Sequence, residues 1–163
     1  MTIQFSKQTL QAYLEQLSSR EPVPGGGSAA ALSAALGAAL VGMTANYSLG
    51  RKNNTKATDK KLAAIIKDAD QIRRRLLELT TLDSKAYLKV SAARKGTAKA
   101  QKAAAKEARA VPAEVCKLCY KALALTPFLV EKGNPYLLSD VEVAAELLMA
   151  GFKGAMVMVR INS

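Results

Sequence analysis

From Pro22 to Gly50 the chain reads PVPGGGSAAALSAALGAALVGMTANYSLG, twenty-nine residues without a charge. Pro22, Pro24 and Gly25-Gly26-Gly27 cannot sit inside a helix, so a helix is expected to begin after them. Ser28 is placed to cap it, and apolar residues carry it to about Leu49. Small residues occupy several of its faces: Ala30, Ala34, Ala38 and Gly42, with Ser33 and Gly37 beside them. Leu32, Leu36, Leu40 and Met43 form a stripe of larger side chains. A helix with no charged face belongs at the centre of a fold, with neighbours approaching closely on its small faces. It is also compatible with a place in a subunit interface. The run is long enough to cross a membrane, but Ala, Gly and Ser drive insertion weakly, so a buried helix is the expectation.

Outward from this centre the pattern stays helical. Ser6 to Ser18 carries Leu10, Tyr13, Leu14 and Leu17 on one face. Thr58 to Ala93 has a core stripe of Leu62, Ile65, Ile66, Ala69, Ile72, Leu76 and Leu79. Its length predicts a break near Thr80 to Asp83. Ala98 to Ala110 is rich in Ala and Lys, and Pro112 suits the first turn of a further helix to about Lys132, bent or shortened by Pro127. Gly133-Asn134-Pro135 is a turn, and Ser139-Asp140-Val141-Glu142 has capping-box spacing before a last helix to about Val159. No segment alternates as a strand does. The prediction is a single all-α domain over residues 1–163, a helical bundle of about six helices.

Composition narrows the chemistry. The 163 residues contain no His, which excludes imidazole bases, Ser-His and Cys-His pairs, and any metal site that needs imidazole. Net charge is +11, and all of the excess lies between Arg51 and Arg109, with 17 basic against 6 acidic residues. An anionic partner for that region follows. Lys99, Lys102, Lys106 and Arg109 share one helix face, which could track phosphates or simply be solvated. No aromatic residue lies between them to stack on bases, so nucleic acid is the weaker reading. Cys116 and Cys119 read as buried free thiols of one helix, and two Cys with no signal peptide fit a cytoplasmic protein.

Few residues stand out as candidates for chemistry. Three consecutive glycines are costly to order. Either they form a tight connection, or their N–H groups face an anion at a helix N-terminus. Asp83 is a lone carboxylate, solvated or catalytic. Arg51 and Lys52 either favour the C-terminal dipole of the central helix or bind an anion.

Taken in order, PVPGGGSAAALSAALGAAL, Gly50-Arg51-Lys52, Asp83-Ser84-Lys85-Ala86-Tyr87, Ala110-Val111-Pro112, Gly133-Asn134, Ser139-Asp140-Val141-Glu142-Val143-Ala144-Ala145 and Gly154-Ala155 through Ile161-Asn162 cover nearly the whole chain. They resemble the cyclodeaminase/cyclohydrolase family: the C-terminal domain of formiminotransferase-cyclodeaminase and its stand-alone bacterial relatives. The resemblance implies an all-α homodimer binding tetrahydrofolate derivatives near the subunit interface, with no metal and no additional cofactor. It implies either closure of 5-formiminotetrahydrofolate to 5,10-methenyltetrahydrofolate with loss of ammonia, or hydrolysis of the methenyl form to 10-formyltetrahydrofolate. Asp83 matches the family's acid–base residue. Arg51 and Lys52 match a basic segment that would hold substrate carboxylates, and the other basic residues would attract a polyglutamate tail. Gly25, Gly26, Gly27 and Ser28 would lie against the pterin or the dimer partner. Asn134, Ser139 and Asp140 are matched polar positions, although Ser139 and Asp140 could equally do no more than begin the last helix.

Three departures matter. The family's Leu-Pro pair is missing after Ala93-Arg94-Lys95. Met158 stands where the family has Asn. Relatives continue for tens of residues past Ile161-Asn162, so this domain is expected to lack that extension. With no formiminotransferase domain in the chain, cyclohydrolase is the preferred expectation over cyclodeaminase. A folate-binding or structural dimer without turnover, and a basic bundle that binds nucleic acid, are the alternatives.

Overall fold

The computed structural model describes residues 4–162. Among them are six α-helices: α1 (Leu10–Ser18), α2 (Gly26–Ser48), α3 (Lys56–Ala93), α4 (Ala98–Leu123), α5 (Thr126–Lys132) and α6 (Leu138–Ile161). Short 3-10 turns lie at Phe5–Lys7 and Pro135–Leu137. No strand occurs among the described residues, and the all-α expectation holds.

Helix α2 is central, as its lack of charge requires. It packs on both α3 and α6, and more lightly on α4. Ala31, Ala34, Ala38 and Val41 are buried against a core that includes Leu62, Ile65, Leu76 and Leu79 of α3, Val115 and Cys119 of α4, and Leu148 of α6. The α2–α6 crossing is close enough that a Cβ on Gly37 would lie 2.8 Å from the Ala144 carbonyl oxygen. One on Gly151 would lie 2.9 Å from that of Ala30. Side chains cannot occupy such gaps, which explains the small-residue faces. The helix is apolar enough to span a membrane, yet over half of its most apolar window is buried in the fold.

Five local expectations are corrected. The first helix begins at Leu10, with Thr9 capping Ala12 N–H, and buries Tyr13 alone. Its expected apolar face is open, Leu10 and Leu14 being 65% and 50% exposed. Helix α2 starts at Gly26 with Gly25 as its N-cap, so Ser28 lies inside the first turn and is not the cap. Helix α3 runs unbroken through Thr80 to Asp83. The polar cluster there faces inward: Thr80 donates to the Leu77 carbonyl and Thr81 accepts from Phe5 N–H. Its polarity serves packing against the start of the chain, and no break is needed.

The fourth correction is Pro112, which lies inside α4 and not at its start. A proline there removes the hydrogen bond to the carbonyl four residues earlier, that of Ala108. The Asn162 side-chain amide donates to that carbonyl at 3.1 Å. The end of α6 thus satisfies the group that Pro112 orphans. Pro127 acts as expected, with α4 ending at Leu123 and Pro127 in the first turn of α5. The capping-box spacing at Ser139 is not used: α6 begins at Leu138 without a side-chain cap, and Ser139 and Asp140 occupy its first turn.

Candidate active site

The first turn of α2 has donors that no local side chain caps, because Gly25 has none to offer. Asp83 of α3 supplies the missing acceptor, and its carboxylate takes a hydrogen bond from the Ser28 backbone N–H. The anion expected at the glycine-led helix N-terminus is therefore the chain's own carboxylate. Gly27 is what allows the approach, since a Cβ there would overlap the Asp83 carboxyl. Burial pushes the Asp83 carboxyl above the ordinary carboxylate range, and the Ser28 N–H opposes that shift only in part.

Asp83 stands on the wall of a cavity of about 340 Å³, at the lower end of the size of small-molecule sites. Pro22, Val23 and the three glycines form one wall. Asp83, Tyr87 and Val90 of α3 and Arg94 at its C-cap form the next, spaced so as to share one helix face. Ala108 of α4 and Met158, Ile161 and Asn162 of α6 complete the lining. The cavity is mainly apolar, with one half-buried acid, Asp83, and one cation, Arg94, at its wall. A larger cleft of about 480 Å³ lies between α3 and α4, but its Arg75 is committed to a bidentate pair with Glu114 and to Glu78. That cleft is a groove between paired helices and holds no comparable acid in an apolar wall.

The structure divides the candidate residues into two groups. Gly25, Gly26, Gly27, Ser28 and Asp83 meet at the start of α2. The Ser28 side chain is fully buried and its hydroxyl meets Tyr13 OH at 3.0 Å, so it does not line the cavity. Arg51, Lys52, Asn134, Ser139 and Asp140 gather at the other end of α2, roughly 35 Å away by helix rise. There Arg51 Nη1 donates to the Gly133 carbonyl at 2.9 Å, and Asn134 N–H donates to Ser48 Oγ at 2.8 Å. Asn134 Oδ1 accepts from Tyr136 N–H, while Lys52 and Ser139 are exposed. Within one chain the two groups cannot touch a common small ligand.

Sequence reasoning missed Tyr13, Val90 and Arg94 as neighbours of the site. Asp83, Tyr87, Val90 and Arg94 carry a helical spacing that could have found the last two. Tyr13 carried no such signal, because it sits in an apparently ordinary apolar stripe. Met158 does reach the cavity, its sulfur lying 3.9 Å from where a Cβ on Gly26 would be. Cys116 and Cys119 are free and buried, and burial pushes the Cys119 thiol up to about 12, where it is unreactive. Among the described residues no cluster of three His, Cys, Asp or Glu is placed to hold a metal ion.

Comparison with known proteins shows the family and the fold. The formiminotransferase-cyclodeaminase family profile matches residues 9–163. The chain is 33% identical to a methenyltetrahydrofolate cyclohydrolase of Methylorubrum extorquens, with 96% of this chain and 79% of that protein aligned. It is 30% identical to the formimidoyltransferase-cyclodeaminase of Rattus norvegicus, of which it spans 30% while 94% of this chain is aligned. The crystal structure of a formiminotetrahydrofolate cyclodeaminase from Thermotoga maritima superposes with a TM-score of 0.93 at 30% identity, covering 97% of this chain and 79% of that one.

Proposed function

This chain belongs to the formiminotransferase-cyclodeaminase family, and on that premise we propose that it hydrolyses 5,10-methenyltetrahydrofolate to 10-formyltetrahydrofolate. The observation that carries the proposal is the half-buried Asp83 carboxyl in a mainly apolar cavity wall. Hydrolysis begins on a cationic amidinium carbon bridging N5 and N10 of the folate. A carboxylate beside it offsets that charge and accepts a proton from the attacking water as the C–O bond forms. The resulting neutral Asp83 returns that proton to N5 as the C–N5 bond breaks. The hydroxyl proton leaves to solvent as the formyl C=O forms, so the sum is one water consumed and one proton released. A carboxyl titrating above the usual range suits both halves, being a stronger base than a free Asp and still able to donate. The matched relative named as a cyclohydrolase, aligned over 79% of its length, supports hydrolysis as the preferred reaction.

The test is the absorbance decay of 5,10-methenyltetrahydrofolate, with purified protein set against spontaneous hydrolysis. Decay that scales with protein supports the reading. The likeness to the Thermotoga cyclodeaminase favours a second reading. If decay is not accelerated and 5-formiminotetrahydrofolate instead yields the methenyl compound and ammonia, the chain is a cyclodeaminase.

Arg94 is the cation of the cavity wall and is placed to meet a substrate carboxylate. Arg94→Ala is expected to raise KM about tenfold with kcat nearly unchanged, the signature of lost uniform binding. An unchanged KM would remove Arg94 from substrate binding.

The active form proposed is a homodimer joined along α2 and α6. Leu36 is 52% exposed on α2, next to half-buried Leu40 and Met43, and Val143, Val157 and Ile161 are exposed along α6. The charges of α6 are Asp140, Glu142 and Glu146 in its first half, and Lys153 and Arg160 in its second. An antiparallel, twofold pairing sets opposite signs against each other. It also brings the partner's Arg51 end of α2 towards Asp83, which would reunite the two groups of candidate residues. Sedimentation is expected to give a dimer, and Leu36→Glu a monomer with turnover lowered at least about tenfold. A monomeric, fully active parent protein would sink this arrangement.

A further inference from the structure

Helix α1 is held to the fold by one buried side chain, Tyr13, which is 4% exposed. Its ring stands edge-on to Phe5, with centroids 5.5 Å apart and an interplanar angle of 83°. Phe5 is itself tied to α3, because its N–H donates to Thr81 Oγ1 at 3.1 Å, two residues before Asp83. The ring is thus fixed from behind, and its hydroxyl reaches Ser28 Oγ at 3.0 Å. Ser28 is fully buried, and its backbone N–H is the donor to the Asp83 carboxylate. Core packing alone would be served by Phe. A phenol paired with a serine hydroxyl beside a half-buried carboxyl asks for another reason.

We propose that Tyr13 is a positioning residue for the Asp83 carboxyl, acting through the Ser28 hydroxyl. The inference rests on Asp83 being the acid–base group described above. Two hydroxyls sharing one hydrogen bond leave one hydrogen to orient. When Asp83 is ionised, its field turns both O–H dipoles towards it, with Tyr13 donating to Ser28. When Asp83 is protonated, that bias is gone. The pair therefore stabilises the carboxylate form, in an apolar environment where dipoles act strongly. Burial chiefly, and the Asp83 charge with it, oppose ionisation of the Tyr13 phenol, so the pair stays in its hydroxyl form.

The surroundings make the effect readable. Helix α2 brings no charged residue, and α4 and α6 line the cavity with Ala108, Met158, Ile161 and Asn162. The titratable or charged groups lining the cavity are Asp83 itself and Tyr87 on α3, and Arg94 at its C-cap. Tyr13→Phe and Ser28→Ala change no charge at neutral pH, so a displaced Asp83 titration reports the dipoles.

The experiment is a carboxyl ¹³C titration of protein labelled at aspartate, with the Asp83 resonance assigned by its loss in Asp83→Asn. Tyr13→Phe and Ser28→Ala are each expected to raise the Asp83 midpoint by roughly half a pH unit. The double variant should match either single one, since both remove the same relay. A merely structural pair would lower Tm in each single variant, where one buried hydroxyl is stranded, and leave the midpoint in place. That result would overturn the inference. Because the titration needs no turnover, a displaced midpoint in a protein inactive on 5,10-methenyltetrahydrofolate would uphold the inference and reject the hydrolase reading alone. Where the parent is active, the limb of its pH–rate profile assigned to Asp83 should move upward in both variants.

Discussion

Asp83→Asn is expected to lower turnover of 5,10-methenyltetrahydrofolate at least about a hundredfold while raising Tm at neutral pH. The two effects share one cause. Asn is nearly the same shape, and its side-chain oxygen can still accept the Ser28 N–H that Asp83 accepts. It cannot take a proton from water, so catalysis goes and the fold stays. The stability effect follows from burial, which raises the carboxyl above its ordinary value of 3.8. Between 3.8 and the raised value, the native state keeps a proton that the unfolded chain has released. Native stability therefore falls as pH rises through that window and stays lowered above it. The Asn variant has no such loss. Its Tm should exceed that of the parent at neutral pH, and the gap should close as the pH drops below the ordinary carboxylate range. Calorimetry over pH, together with the absorbance assay, checks both effects. Parent-level turnover in Asp83→Asn would refute the assignment of Asp83 whatever the melting curves show.

The fold was largely legible because its central helix is unusual in composition. A charge-free run of Ala, Gly and Leu has few soluble solutions besides the middle of a helical bundle, and the Gly37 and Gly151 contacts show how close its neighbours come. What misled were local signals that tertiary partners override. Pro112 reads as a helix start only while Asn162 is unknown, and Asn162 lies fifty residues later in sequence. Ser28 reads as a cap only while a carboxylate from α3 is not available to cap the same turn. The candidate site was half legible for the same reason. Glycine before a helix announces that something must approach, and Asp83 is what approaches. Nothing local to Arg51 or Asn134 announces that they sit a whole helix length from it. Periodicity assigns a face to Tyr13 but is blind to its hydroxyl, so its meeting with Ser28 needed the fold.

Gly27→Ala separates helix propensity from site geometry, because the two predict opposite signs. Gly27 is the second residue of α2, and replacing a helical glycine by alanine ordinarily stabilises by up to about 1 kcal/mol. Here the added carbon would overlap the Asp83 carboxyl. Either Asp83 swings away and loses the Ser28 N–H, or the first turn of α2 shifts away from α3. Both change the position of the reacting carboxyl relative to the glycine wall of the cavity, and misplacement of about 1 Å can cost a hundredfold in rate. The expected result is turnover lowered about a hundredfold, with stability reduced by about 1–3 kcal/mol. Gly42→Ala supplies the contrast within the same helix. Its new carbon would meet the Ala69 Cβ at 3.6 Å, an ordinary contact outside the Asp83 cavity. That variant should keep the parent's turnover and match or exceed its Tm. If Gly27→Ala behaved like Gly42→Ala, the carboxyl would not be held against the first turn of α2, and the site built on that contact would fall with it.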